Sequence, residues 1–202
     1  MRRSQLSAVA FDWGGVFTEG TFDGRITANL ASALSRPVEE VRKAYFAKVE
    51  ELELGRWGLD TFWEWIQQQL PGAGLASSEF RRIFLSSVQE NAAMYDLLPR
   101  LPDSVELGLL SNNYPELSTL LRADPRWSRF RALIFSNELG HKKPAEQAFL
   151  ALLRGLGCPA EHCLFVDDVL ENLEAAAALG FQVLQYREHQ TFTAGLTELG
   201  LL

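Results

Sequence analysis

The chain has 202 residues, 47% apolar and 22% charged, with a formal net charge of −7 at pH 7. That length suits one α/β domain, with or without an insertion, and that apolar content can bury a core, which excludes a disordered chain. An isoelectric point of about 5.1 excludes the concentrated basic face of a nucleic-acid binder, but not a phosphate substrate, because one buried lysine and a metal outweigh a distant acidic surface.

In chain order, Arg2 and Arg3 are followed by Ser4 and Gln5, and Asp12 interrupts the next apolar stretch. No signal-peptide core or membrane span can be assembled there, so a cytoplasmic protein without a membrane partner is expected. Ser7 to Phe11 (S-A-V-A-F) is an apolar run too short for a helix and ends in Asp-Trp-Gly-Gly. It reads as a buried parallel strand with a turn at its carboxyl end. From about Phe17 to Asn91 the pattern is helical, over roughly 26–35, 37–54, 59–70 and 78–88, with breaks at Arg36-Pro37, Gly55 to Gly58 and Pro71 to Gly74.

Strand-like runs then return at Val105–Leu110, Ala132–Phe135, Cys163–Val166 and Phe181–Tyr186. Helical patterns alternate with them. One begins at Pro144, a favourable first helical position, and stops at Gly157; another runs from Leu170 to Leu179 before Gly180. Alternation of this kind predicts a Rossmann-like parallel sheet with helices on both faces. The chain therefore divides into an α/β core of residues 1–16 and 92–202 and an inserted all-helical cap of residues 17–91. Cys158 and Cys163 are too few for a disulfide framework and fit no zinc spacing, so they read as small hydrophobes in a reducing compartment.

Ligands of an open parallel sheet bind at the carboxyl ends of its strands. Here those ends carry Asp12, then Ser111-Asn112-Asn113, then Lys143-Pro144, then Asp167-Asp168. A single carboxylate there could cap a helix, but four polar motifs, each after an apolar run, form the set phosphoryl transfer needs: a nucleophile, donors to oxygens, a cation and metal-binding acids.

Four stretches carry a family resemblance: F-D-W-G-G-V (Phe11–Val16), L-L-S-N-N (Leu109–Asn113), G-H-K-K-P (Gly140–Pro144) and F-V-D-D-V-L-E-N (Phe165–Asn172). In this order they resemble the haloacid dehalogenase superfamily over essentially the whole chain, and the carboxyl-terminal part looks like its branch of epoxide-hydrolase phosphatase domains and sugar-phosphate phosphatases. The resemblance implies a phosphatase acting on a small phosphate monoester, as a monomer or homodimer. Asp12 would be the nucleophile that forms an aspartyl-phosphate. Ser111, the Asn112 amide and the Trp13-Gly14 backbone would hold the phosphate, and Lys143 rather than Lys142 would neutralise Asp12 and the transferring group. Asp12, the Gly14 carbonyl and Asp168 would bind Mg²⁺, with Asp167 helping through water or from behind these ligands and Asn172 orienting that loop. Two adjacent buried acids repel, and a hard divalent cation resolves the repulsion.

The sequence departs from the family where Gly14 replaces the second aspartate of the first motif. In the family that side chain protonates the leaving group and later activates water, and losing a general acid typically costs ~10²–10⁴ in rate. Three readings follow: a phosphatase on a substrate with a good leaving group, a phosphate-binding protein that kept the fold, and a metal-independent 2-haloacid dehalogenase, against which the intact Asp167-Asp168 pair argues. Within 17–91, Leu59, Phe62, Trp63 and Ile66 follow helical spacing and read as packing. Trp57, flanked by Arg56 and Gly58 in a break, is the candidate to face substrate, with Asn113 on the core side. Residues 17–23 read as a hinge, and His141 as a structural or solvent-facing residue.

Overall fold

The computed structural model describes residues 6–72 and 74–202; Arg2 to Gln5 and Ala73, used above, lie outside them. Five strands, β1 (Ala8–Phe11), β2 (Glu106–Ser111), β3 (Phe130–Phe135), β4 (Cys163–Asp167) and β5 (Gln182–Gln185), form one parallel sheet in the order β3-β2-β1-β4-β5. All four β1 residues are fully buried. Strand alternation divides them between two cores: Val9 and Phe11 join Leu109, Leu164 and Val166 on one face, and Ala8 and Ala10 join Leu110, Cys163 and Phe165 on the other. That is why the run reads as continuously apolar rather than alternating.

Between β1 and β2 come α1 (Phe22–Leu34), α2 (Val38–Phe46), α3 (Val49–Glu53), α4 (Leu59–Gln69), α5 (Ser77–Ser86) and α6 (Ala92–Leu97). Later connections supply α7 (Pro115–Ala123), α8 (Ser136–Leu139), α9 (Glu146–Leu156), α10 (Leu170–Ala178) and α11 (His189–Glu198). Apolar residues of α1 to α7 and α11 pack in the cluster of Val9 and Phe11, and those of α9 and α10 in that of Ala8 and Ala10. Among the described residues no helix is long and apolar enough to cross a membrane.

Three differences from the sequence reading have local causes. The stretch 37–54 is two helices, broken at Ala47-Lys48. Its apolar spacing hides the break, because Val41, Ala44, Tyr45, Val49 and Leu52 keep one helical period through it and all are buried. Contacts elsewhere aim α3: Ser136 Oγ donates to the Glu53 carbonyl at 2.6 Å, and at Gly55 (φ +67°) an added Cβ would stand 2.0 Å from the Asn137 carbonyl oxygen. Pro144 lies in the turn before α9, which starts at Glu146; the backbone of Lys143 is held there by Asn112. Helices α6, α7 and α11 are short or weakly patterned, although Pro115 at the start of α7 was a readable signal.

Candidate active site

β1 is central, and chain order reverses beside it: β2 and β3 lie to one side, β4 and β5 to the other. The carboxyl ends of β1 and β4 therefore form the switch point at which open α/β sheets bind ligands. Register completes the placement. Phe11 pairs with Val166 on β4 and with Leu109 on β2, so Asp12 and Asp167 emerge side by side and Ser111 ends the neighbouring strand.

The charges converge on Lys143, whose ammonium lies 2.7 Å from Asp12 Oδ1 and 2.7 Å from Asp167 Oδ2. Its side chain is 1% exposed. Asn112 fixes it from behind, accepting the Lys143 amide on Oδ1 (2.8 Å) and donating Nδ2 to the Lys143 carbonyl (3.0 Å). Lys142 points elsewhere, pairing with Glu53 at 2.6 Å and Glu50 at 3.5 Å; the two adjacent lysines thus separate into one buried in the acid cluster and one bound to α3.

Asp167 is fully buried and spent on the protein: Oδ1 accepts the Val169 amide (2.8 Å), and Oδ2 accepts Lys143 Nζ and Asn172 Nδ2 (3.1 Å). Asp168 gives its carbonyl to Gln185 (2.9 Å) and keeps its carboxylate at the cavity wall, against Gly15. Gly15 has φ +73°, and a Cβ there would stand 2.2 Å from Asp168 Oδ2, so both backbone conformation and space demand glycine. Gly14 differs: its φ is ordinary, and a Cβ there would meet nothing within 4 Å. Sterics therefore do not account for glycine in place of an acid.

Burial pushes Asp12 up to about 7; Lys143 opposes this, while Asp167 and Asp168 add to it. Burial likewise raises Asp168, helped by Asp167. For Lys143 burial works against the charge, but Asp12 and Asp167 outweigh it and hold its pKa above the ordinary lysine value. Oxygens of Asp12, Asp167 and Asp168 lie within 4.8 Å of one another. Such a group of hard carboxylate donors, with too little positive charge among them, fits a divalent cation such as Mg²⁺.

Asp12 and Asp168, but not the fully buried Asp167, border a cavity of about 170 Å³ whose walls also include Trp13, Gly14, Gly15, Asn112, Asn113, Lys143 and Asn172. Ser111 is buried at the end of β2, with its hydroxyl 3.4 Å from the Asn112 carbonyl and 3.5 Å from Asn113 Nδ2. The Trp13 amide donates to Asp12 Oδ1 (2.7 Å), and its indole Nε1 donates to Tyr95 (3.3 Å). Trp57 and Arg56 do not line this cavity. Trp57 packs against Trp65 under Lys48, and Arg56 pairs with Glu51 at 3.4 Å; the turn that carries them starts at Gly55, which lies close against Asn137 of α8. In their place α1 and α3 present Thr21, Phe22, Asp23 and Glu53. Asp23 Oδ1 accepts bonds from Tyr45 (2.7 Å) and Tyr114 (2.6 Å). Little in the residue pattern pointed to this wall, because an acid in the first turn of a helix ordinarily reads as a dipole partner. His141 is exposed.

A doubly wound sheet with a buried lysine, three acids and a phosphate-sized hollow at its switch point defines a Rossmann-like α/β enzyme. The model of the haloacid dehalogenase-like hydrolases matches residues 6–180, and the chain belongs to that family. It is 27% identical over 190 residues to a D-ribitol-5-phosphate phosphatase of Bacteroides thetaiotaomicron, covering 89% of this chain and 91% of that one. A HAD family enzyme of the same organism superimposes with a TM-score of 0.83 at 19% identity, over 96% of this chain and 99% of the other. A further structure, a complex of such an enzyme with magnesium and inorganic phosphate, gives a TM-score of 0.77 at 19% identity, over 90% and 94%.

Proposed function

We propose that this enzyme hydrolyses a small phosphate monoester with Mg²⁺, through an aspartyl-phosphate on Asp12. The observation that carries the reading is the meeting of Asp12, Lys143 and Asp168 at one cavity. Asp12 has one oxygen tied to Lys143 and the Trp13 amide, so its other oxygen is held in orientation for attack, which a weak nucleophile requires. Lys143 offsets the charge of Asp12 and of the phosphoryl oxygens. Ser111, Asn112 and the Gly14 amide hold those oxygens, the Trp13 amide being taken by Asp12. Mg²⁺, held by Asp12, the Gly14 carbonyl and Asp168, would supply a Lewis acid for the phosphoryl charge. Asp167 and Asn172 keep the Asp168 loop in place.

Residues 17–91 act as a cap, linked to the core by paired connections in which Asn91 donates to Phe17 O and Glu19 to Gln89 O. Asp23, Glu53, Asn112, Asn113 and Tyr114 together give the cavity acceptors and donors for hydroxyl groups. With the likeness to a D-ribitol-5-phosphate phosphatase, this supports a sugar or alditol phosphate as substrate. The test is phosphate release from ribitol 5-phosphate, glucose 1-phosphate, glucose 6-phosphate and p-nitrophenyl phosphate. Mg²⁺ should stimulate it, and chelator or Asp12→Asn should abolish it; full turnover in chelator or in the variant refutes the reading. The glycine at 14 favours a second reading, a phosphate-binding protein. That reading stands only if no ester turns over while phosphate still raises Tm.

A further inference from the structure

If Gly14 supplies no proton, a poor leaving group needs another donor, and the cavity walls restrict the choice. Asp12 is the nucleophile, Asp168 faces the cation site, and Lys143 is committed to two ion pairs. Asn112, Asn113, Asn172 and Thr21 are not acids. Burial holds the Tyr114 phenol well above its ordinary range, too high to release its proton readily. Two carboxyls remain, both from the helical segment. Glu53 is bound by Lys142 at 2.6 Å, so protonating it would disrupt a partly buried ion pair.

Asp23 differs in its partners. Both phenols, Tyr45 and Tyr114, donate to Oδ1, and the residue lines the same cavity as Asp12. Two donors on one oxygen fix the plane of the carboxyl and leave Oδ2 to carry a proton. We infer that Asp23 delivers the proton to the leaving-group oxygen, from the wall built by α1, in place of the acid absent at Gly14. This rests on the phosphatase reading above and adds the residue that completes its proton balance.

An Asp12 oxygen forms a bond to phosphorus as the bond to the ester oxygen breaks. The released electron pair stays on the ester oxygen, which takes the Asp23 Oδ2 proton and departs as an alcohol. The Asp23 carboxylate, steadied by the two phenols, then takes a proton from the water that attacks the aspartyl-phosphate. The bond from phosphorus to Asp12 breaks, and phosphate leaves with Asp12 and protonated Asp23 restored. The environment suits the role: burial lifts Asp23 above the ordinary carboxylate range, against the Tyr114 and Tyr45 bonds and the charge of Lys142. Glu53 on α3 is the other charge facing it.

The test compares ribitol 5-phosphate, whose alkoxide needs a proton, with p-nitrophenyl phosphate, whose leaving group is stable as an anion. Asp23→Asn keeps the acceptor for both phenols. It should lower kcat/KM for ribitol 5-phosphate by ~10²–10⁴ relative to p-nitrophenyl phosphate. Adding Gly14→Asp, for which the structure leaves open space, should restore most of that loss. Tyr114→Phe removes a donor to the ionised form, so the basic limb of the ribitol 5-phosphate profile should move to higher pH; this measurement decides the matter if Asp23→Asn shows no cooperative melt. Equal slowing of both esters by Asp23→Asn, undiminished ribitol 5-phosphate turnover, or an unmoved limb in Tyr114→Phe overturns the assignment. So does a parent enzyme active on p-nitrophenyl phosphate alone. A parent active on no ester instead defeats the phosphatase reading itself.

Discussion

Replacing Lys143 by Met removes the cation buried among Asp12, Asp167 and Asp168 while keeping a flexible chain of similar volume. The structure sets the magnitude. Lys143 and Asp167 are 1% and 0% exposed and 2.7 Å apart, and Asp12 Oδ1 is also at 2.7 Å. Removing one member of a buried pair strands the other charge and costs ~3–5 kcal/mol. Part of the ammonium's worth is its place 5.6 Å from the centre of the Phe165 ring. Urea unfolding in chelator at pH 8 should therefore show a loss of ~3–5 kcal/mol with an unchanged m-value. Mg²⁺ should stabilise the variant more than the parent, because a bound cation becomes the remaining counter-charge. Lys143→Met with Asp167→Asn should recover part of the loss, since the second change removes the stranded carboxylate. A loss within ~1 kcal/mol, the range of an exposed pair, or a double variant no better than the single one, refutes the account of Lys143 as the compensating charge.

Gly15→Ala should weaken Mg²⁺ binding and sharply reduce turnover, because its Cβ would stand 2.2 Å from Asp168 Oδ2 at φ +73°. Gly14→Ala should leave Tm within a degree or two, since nothing lies within 4 Å; the reverse order of Tm effects counts against this packing. In chelator, stability should fall as pH rises from about 4 to about 7. Asp12, Asp23, Glu53 and Asp168 are all held above their ordinary values by burial. The folded state therefore binds more protons than the unfolded one in that window, and the contribution present below pH 4 is lost on the way up. Asp12, raised from 3.8 to about 7, sets the scale at ~4 kcal/mol. Glu90 and Asp124, lowered by Arg126, act in the opposite sense, below that window and in its acidic end. Mg²⁺ should flatten the fall. Stability that rises from pH 4 to 7 in chelator, measured by urea midpoints, would falsify the assigned signs.

Much of the core was legible because its signals are local. A strand buried on both faces must be a short apolar run, and β1, β2, β3, β4 and β5 each lie within two residues of their expected bounds. Helix stops at Gly157 and Gly180 follow from the left-handed conformations that glycine alone takes easily. The polar strand ends were equally readable, since a parallel sheet brings its carboxyl ends to one edge whatever the intervening chain does.

The helical segment was not legible in the same way. Periodicity identified Phe62, Trp63 and Ile66 as core but carried no information on which residues between helices face the cavity. Trp57 packs half-buried against Trp65, away from the cavity, while Gly55 against Asn137, Ser136 on Glu53 and Lys142 on Glu53 place α3, and Tyr45 and Tyr114 hold Asp23 at the cavity wall. The sequence alone determined the order of the strands' chemistry, from Asp12 to Asp168, because residue type and position along a strand are properties of one segment. Only the tertiary structure decided where Lys142 is bound, why Gly15 cannot carry a side chain and that Asp23 meets two phenols, because each depends on contacts between segments far apart in the chain.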